Sequence, residues 1–271
     1  MEHKTSLQDN LKSKFATFAI PTLVVVGILL YVFVMGNSAN FEGGDPHNHP
    51  LPGNVLGLIY KGGFIVPILL SLVLMSITFS IERFLTIGKA TGKSSVEVFV
   101  RKVKSLLTAG KIDAAIAECD VQKGSVANVV KSSLLKYKEM ENVPDMEKDQ
   151  KILAIQKEIE ESTSLELPML EKNLVIIATM ASVSTLVALL GTVIGMIKAF
   201  SALATAGSPD SVALANGISE ALINTALGIG NSAIAIIMYN VFTSKIDAIT
   251  YAIDEAGFSI IQTFGAAHKN R

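Results

Sequence analysis

A carboxylate set inside an apolar run can pass a proton or a cation across a membrane, and this sequence holds one. Residues 213–242 read ALANGISEALINTALGIGNSAIAIIMYNVF, long enough as a helix to cross a hydrocarbon core of about 30 Å. Glu220 is the only side chain in that run that ionises near neutral or acid pH, and it lies about five residues inside the outer edge. A carboxylate at such depth costs several kcal/mol unless it faces protein interior, water or a counter-ion. Two placements fit it, the headgroup boundary or the wall of an ion path, and its depth favours the second. Helical periodicity puts Gly217, Asn224, Asn231 and Ala235 on the Glu220 side, with Thr225 about 140° round at the edge of that stripe. Asn224 and Asn231 are thus possible pore-lining residues.

The neighbouring apolar run supplies the second set. Residues 174–200 carry the stripe Ala181, Ser184, Thr185, Ala188, Gly191, Thr192, Gly195, Ala199, spaced i, i+3, i+4, i+7. Small residues on one face let two helix backbones approach closely, so Ser184, Ala188, Gly191 and Gly195 are expected at a helix–helix contact. A short loop makes these two spans antiparallel neighbours. Thr192, Glu220 and Thr225 then fall in the same half of the membrane, where two hydroxyls and a carboxyl could relay a proton or replace part of an ion's hydration shell. Either threonine could instead bond its own i−4 carbonyl.

The rest of the chain must position this group. Half of the 271 residues are hydrophobic, and the mean hydropathy of +0.47 averages over four apolar runs and one charged block. The pattern predicts an all-α polytopic membrane protein whose long helices extend into a helical cytoplasmic region. The expected divisions are a polar N-terminus (1–14), a first span (15–36), a loop (37–61), a second span (62–84), a cytoplasmic helical domain (85–173), a third span (174–200), a loop (201–214), a fourth, channel-forming span (215–242) and an amphipathic tail (243–271). The basic start and apolar first run also describe a signal peptide. Their length and the poor cleavage site MGNSAN favour a retained span.

Lysine and arginine set the orientation. Three lie in the N-terminus, fifteen between Arg83 and Lys172 and three in the tail, while Lys61 and Lys198 sit at outer ends of spans where long stems can snorkel. Both termini and the charged block are therefore expected in the cytoplasm, with the loops near 37–61 and 201–214 outside. Asp45, His47 and His49 in the first loop lack a third fixed ligand, and a solvated loop is favoured over a metal site. The lone Cys119 excludes an internal disulfide and reads as a half-buried structural thiol. No cofactor is implied. A net charge of −1 without basic tracts gives no sign of nucleic acid. Nucleophile–base pairs, phosphate loops and zinc spacings are lacking in the sequence, which argues against an enzyme.

LVALLGTVIGMIKAF (186–200) and GISEALINTALGIG…IIMYNVF (217–242) resemble the signature of the MotA/TolQ/ExbB proton-channel family, with ExbB the better match. The resemblance extends to GGF…P…IERF (62–84), GKIDAAIAEC (110–119) and LPMLEKNLVIIATMASVSTLVALL (167–190). It implies that Glu220 is the channel glutamate and that Thr192 and Thr225 are the channel threonines. It further implies an inner-membrane subunit that forms a homo-oligomer, a pentamer, around an ExbD-like single-span partner and passes work through a TonB-like protein to outer-membrane uptake. TolQ-like or motor-stator roles share the core, and a non-conducting scaffold is the alternative of another class. The chain departs from the family in its additional first span, in Thr185 and Ala188 where Pro and Gly are expected, in Ile234 where Pro is expected, and in Asn224 and Asn231. Amide oxygens suit Na⁺ as well as protons, so the choice of ion stays open.

Overall fold

The computed structural model describes residues 15–204 and 210–267. The N-terminus 1–14, residues 205–209 of the second loop and the last four residues of the tail lie outside the described residues. Among those described there is no strand, only an isolated bridge between Phe41 and Pro50, and the fold is all-α. Four helical stretches are long and apolar enough to cross a membrane: Phe15–Met35, Gly63–Thr108, Lys148–Leu203 and Ser211–Ala267. The chain divides into two compact units, the first from Met1–Ser80 and Val175–Tyr239, the second from Ile81–Leu174 and Asn240–Arg271.

In the first unit, α1 (Phe15–Leu29) runs into a π-helical turn, Leu30–Met35, closed where Gly36 N–H reaches Tyr31 O at 2.9 Å. Most of α1 is exposed, and only Gly27 within it is buried. A Cβ there would meet Ser71 N at 3.1 Å and Pro67 O at 3.2 Å, so glycine lets this additional span lie against α3 (Val66–Thr91). Phe15 meets Phe79 edge-on at 5.7 Å.

The first loop is tied rather than loose. Asn40 donates to Val34 O and Met35 O, satisfying carbonyls at the end of the span, and Asn54 caps the short α2 (Val55–Tyr60) by accepting from Gly57 N. Tyr31 stacks on Tyr60 at 4.6 Å and donates its hydroxyl to Tyr60 O. Lys61 does not simply reach for solvent, because its ammonium donates to Pro46 O and His47 O.

The segment expected to begin the second span at Gly62 instead forms a tight turn. Gly63 has φ +76°, and the regular helix starts at Val66 and continues to Thr91. Helix α8 (Leu174–Leu203) and helix α9 (Ser211–Ala267) complete the unit through their portions up to Tyr239. Along their contact a Cβ on Gly195 would stand 2.7 Å from Ala221 N, and one on Gly217 would stand 2.6 Å from Ala199 N. Ala188, where the family pattern has glycine, has its methyl accommodated by Gly228 on the facing helix.

The second unit packs α4 (Val96–Thr108), α5 (Ile112–Gln122), α6 (Gly124–Glu141) and α7 (Lys148–Glu171) with the ends of α3 and α9. Its core includes Phe99, Val103, Leu134, Ile155, Ile260 and Phe264, with Tyr137 meeting Phe264 edge-on at 4.9 Å. Gln122 ties the end of α3 to the end of α5. It donates to Thr91 O and Ser94 O and accepts from the Ser94 N–H and hydroxyl. Cys119 is buried, and burial, followed by the neighbouring Asp120 charge, pushes its thiol up to about 12.

Arg83, which in the sequence looks like half of a boundary ion pair, is 2 % exposed. It grips Glu82 through two hydrogen bonds of 2.6 and 2.5 Å and donates to Met169 O and Leu170 O, carbonyls in the last turn of α7. A cation at a helix C-terminus is favoured by the helix dipole and by the orphan carbonyls there. Arg83→Met should therefore cost about 3 kcal/mol, as for breaking a buried ion pair, read as a lowered unfolding temperature in detergent. Unchanged melting would show that the α7 end is satisfied without it.

Candidate functional site

Glu220 lies on the buried side of α9, its side chain 9 % exposed. Both carboxylate oxygens accept from Lys198 Nζ on α8, at 2.7 and 2.8 Å. The Lys198 side chain is 50 % exposed, and its ammonium also lies 6.0 Å from the centre of the Phe64 ring. On another side the Gly62–Gly63 turn presses on the same carboxylate. A Cβ on Gly63 would overlap Glu220 Oε1, so both this contact and the positive φ demand glycine. One turn further along α9, Asn224 Nδ2 donates to Gly62 O at 2.9 Å and fixes the turn. The carboxylate is thus enclosed by α8, α9 and the entry to α3, with one exposed-stemmed cation on it.

Thr192 and Thr225 face each other across the same helix pair, their hydroxyl oxygens 2.5 Å apart. Each is also within bonding distance of its own i−4 carbonyl, Ala188 O at 3.0 Å and Ala221 O at 2.9 Å. All three contacts are within bonding distance, and the two hydroxyl protons can fill two of them at a time. Among the described residues no hydrogen bond joins Glu220 to either threonine.

Asn231 Nδ2 donates to Ser184 Oγ at 2.7 Å, and Ser232 Oγ donates to Ala181 O at 2.6 Å. Asn231 therefore turns its amide to the neighbouring helix α8, as interhelical hydrogen bonds in a bilayer commonly do, and Asn224 turns its amide to the turn before α3. Their Oδ1 atoms are buried without a partner among the described residues. Ser184, Ala188, Gly191 and Gly195 are all buried on the face of α8 that meets α9. Lys198 and the Gly62–Gly63 turn were not among the residues picked from the sequence. Lys198 carried a signal nonetheless, being an opposite charge near the same short loop as Glu220.

A family model described as the MotA/TolQ/ExbB proton channel family matches residues 124–255, the stretch that contains Thr192, Lys198, Glu220 and Thr225. Over that stretch, just under half of the chain, the sequence matches the MotA/TolQ/ExbB family. It is 28 % identical over 180 residues to the Tol-Pal system protein TolQ of Pseudomonas aeruginosa, covering 66 % of this chain and 78 % of that protein. TolQ of Haemophilus influenzae is 40 % identical over 84 residues, 31 % of this chain and 37 % of the relative. The biopolymer transport protein ExbB of Pseudomonas putida is 33 % identical over 86 residues, 32 % of this chain and 26 % of the relative. The match thus spans most of one relative and well under half of the other two.

With this family match and four helical stretches able to cross a bilayer among its described residues, the chain is a multi-pass inner-membrane protein. Proton bookkeeping in its threonine pair is informative. Two hydroxyls carry two protons, yet three oxygen–oxygen contacts lie within bonding distance. Either Thr192 donates to Thr225, which donates to Ala221 O, or Thr225 donates to Thr192, which donates to Ala188 O. These two arrangements, in which the cross-helix contact carries a proton, differ only by rotation of the two hydroxyls.

Proposed function

We propose that this chain is the proton-channel subunit of an energy-converting complex of the ExbB type, with Glu220 as its exchanging carboxyl and Thr192 and Thr225 as the hydroxyls beside the path. The observation that supports this reading most is Glu220 itself, a buried carboxylate inside an apolar helix with both oxygens on a single cation. The threonine pair supplies hydroxyls that can reorient as a proton passes. Asn224 and Asn231 then act as interhelical links with spare carbonyl oxygens rather than as simple lining.

The working assembly in this reading is a homo-oligomer, a pentamer, around an ExbD-like single-span partner, handing work to a TonB-like protein. A TolQ-type role in the envelope is the second reading, favoured by the 180-residue match to a Tol-Pal system protein. Both make the same demand on the site. The test is the decay of an imposed pH gradient in vesicles holding the full chain with its single-span partner, and absence of flux above empty vesicles overturns the channel reading.

The orientation belongs to the same proposal, with both termini and the charged block cytoplasmic. A reporter inserted after Gly44 is expected outside, and one at Val143 inside. If the Gly44 reporter is inside while Val143 is as expected, the first span does not cross.

A further inference from the structure

We propose that Lys198 is the resident cation of the Glu220 site and sets its ion selectivity, holding the place that a sodium ion would otherwise take. This rests on the reading of Glu220 as the exchanging carboxyl. The oxygen set around that residue is of the kind a hard alkali cation uses. It comprises the two carboxylate oxygens, and the buried Asn224 Oδ1, one turn along the same face of α9, is a further oxygen with no hydrogen-bond partner among the described residues. In this chain the carboxylate oxygens are both taken by an ammonium at 2.7 and 2.8 Å. A sodium ion approaching the pair meets a neutralised carboxylate and a like charge.

A proton is opposed by the same charge, but it forms a covalent O–H bond and needs no coordination shell of several oxygens. It bonds to one carboxylate oxygen, Glu220 becomes neutral, and the ammonium loses its partner. The Lys198 side chain, 50 % exposed and carried on four methylenes beside the Phe64 ring, can turn its charge outward without opening the helix contact. When the proton leaves, the ammonium returns. One proton in and one proton out balance the cycle. The chain thereby carries within itself a device that admits protons and keeps sodium off the amide oxygens that would suit it.

The experiment uses the full chain with its single-span partner in vesicles, comparing the native protein with Lys198→Met, Lys198→Arg and Glu220→Gln. Native proton flux is expected to be the same in sodium and potassium buffers. Lys198→Met is expected to take up radiosodium faster than the native chain by roughly tenfold, the scale on which a lost charge-assisted hydrogen bond acts. Lys198→Arg, which keeps the charge, is expected to exclude it. Where Lys198→Met does not assemble, Lys198→Gln replaces it, and sodium is expected to raise the melting temperature of that variant in detergent but not of the native chain. Native flux that requires sodium overturns the proposal, as does a Lys198 variant that neither takes up sodium nor is stabilised by it. Undiminished proton flux in Glu220→Gln would instead remove the channel-carboxyl reading beneath it, so the two failures are told apart.

Discussion

Glu220→Gln is expected to assemble like the native chain and to abolish proton flux. The substitution keeps the length and bulk of the side chain, so the contact with Gly63, which tolerates no extra atom, is preserved. It leaves one oxygen for Lys198 where there were two, because the amide nitrogen is a donor and cannot accept from an ammonium. What is lost is the ability to gain and release a proton at any working pH. Removing a positioned proton-transfer group typically costs a factor of 10² to 10⁴, so flux should fall by at least about 100-fold. Each charge crossing a potential of 100 mV releases about 2.3 kcal/mol, and that work is unavailable to a partner when no charge crosses. The pH-gradient decay in vesicles reads the first consequence, and partner-driven activity in cells reads the second. Flux at the native rate in a properly assembled variant would sink the assignment of Glu220.

Much of this arrangement was legible in the residues because it depends on periodicity alone. The small stripe on α8 and the Gly217, Glu220, Asn224 and Asn231 face of α9 follow from helical spacing, and the structure buries both. The four apolar stretches and the all-helical character follow from composition in the same way. The contacts that tertiary packing creates were not legible. Lys198 looked like a residue reaching for solvent, since its position near a span end is compatible with either snorkelling or pairing, and only the rotation of α8 against α9 decides. Arg83 sits beside Glu82 in sequence, yet its bonds to Met169 O and Leu170 O join residues far apart in the chain. The Gly62–Gly63 turn was read as the first turn of a helix because glycine is silent about which conformation it takes. Helical spacing puts Asn224 and Asn231 on the Glu220 side of α9, and both are buried, but an amide at a given position can point along, across or away from that face. Here Gly62 O and Ser184 Oγ hold them.

Gly191→Leu and Gly195→Leu should each disrupt packing and assembly, for reasons that differ atom by atom. At Gly195 a Cβ would stand 2.7 Å from both Ala221 N and Gly217 O. Those are helix backbone atoms, which cannot move aside without shifting all of α9. At Gly191 the first contacts would be with the Asn224 side chain, whose Cβ lies at 2.7 Å. Turning Asn224 away from Gly62 O would relieve the contacts with Cγ and Nδ2 but not the one with Cβ, and it would loosen the turn that packs on Glu220. Overpacking a filled contact costs about 1–3 kcal/mol even where side chains can give way, and more where backbone must move. The Gly195 variant should therefore be the more severe of the two, and the Gly191 variant should combine lowered stability with lost flux. Gly230 is the control, because a Cβ on it meets nothing within 4 Å, so Gly230→Leu adds the same bulk to the same pair of helices without a clash. Yield of folded complex and melting temperature in detergent, compared across the three variants, separate packing from bulk. Normal assembly and flux in both Gly191→Leu and Gly195→Leu would mean that these helices do not hold each other along this face in the working complex. Failure of Gly230→Leu as well would mean that any added bulk in these spans is harmful, whichever face carries it.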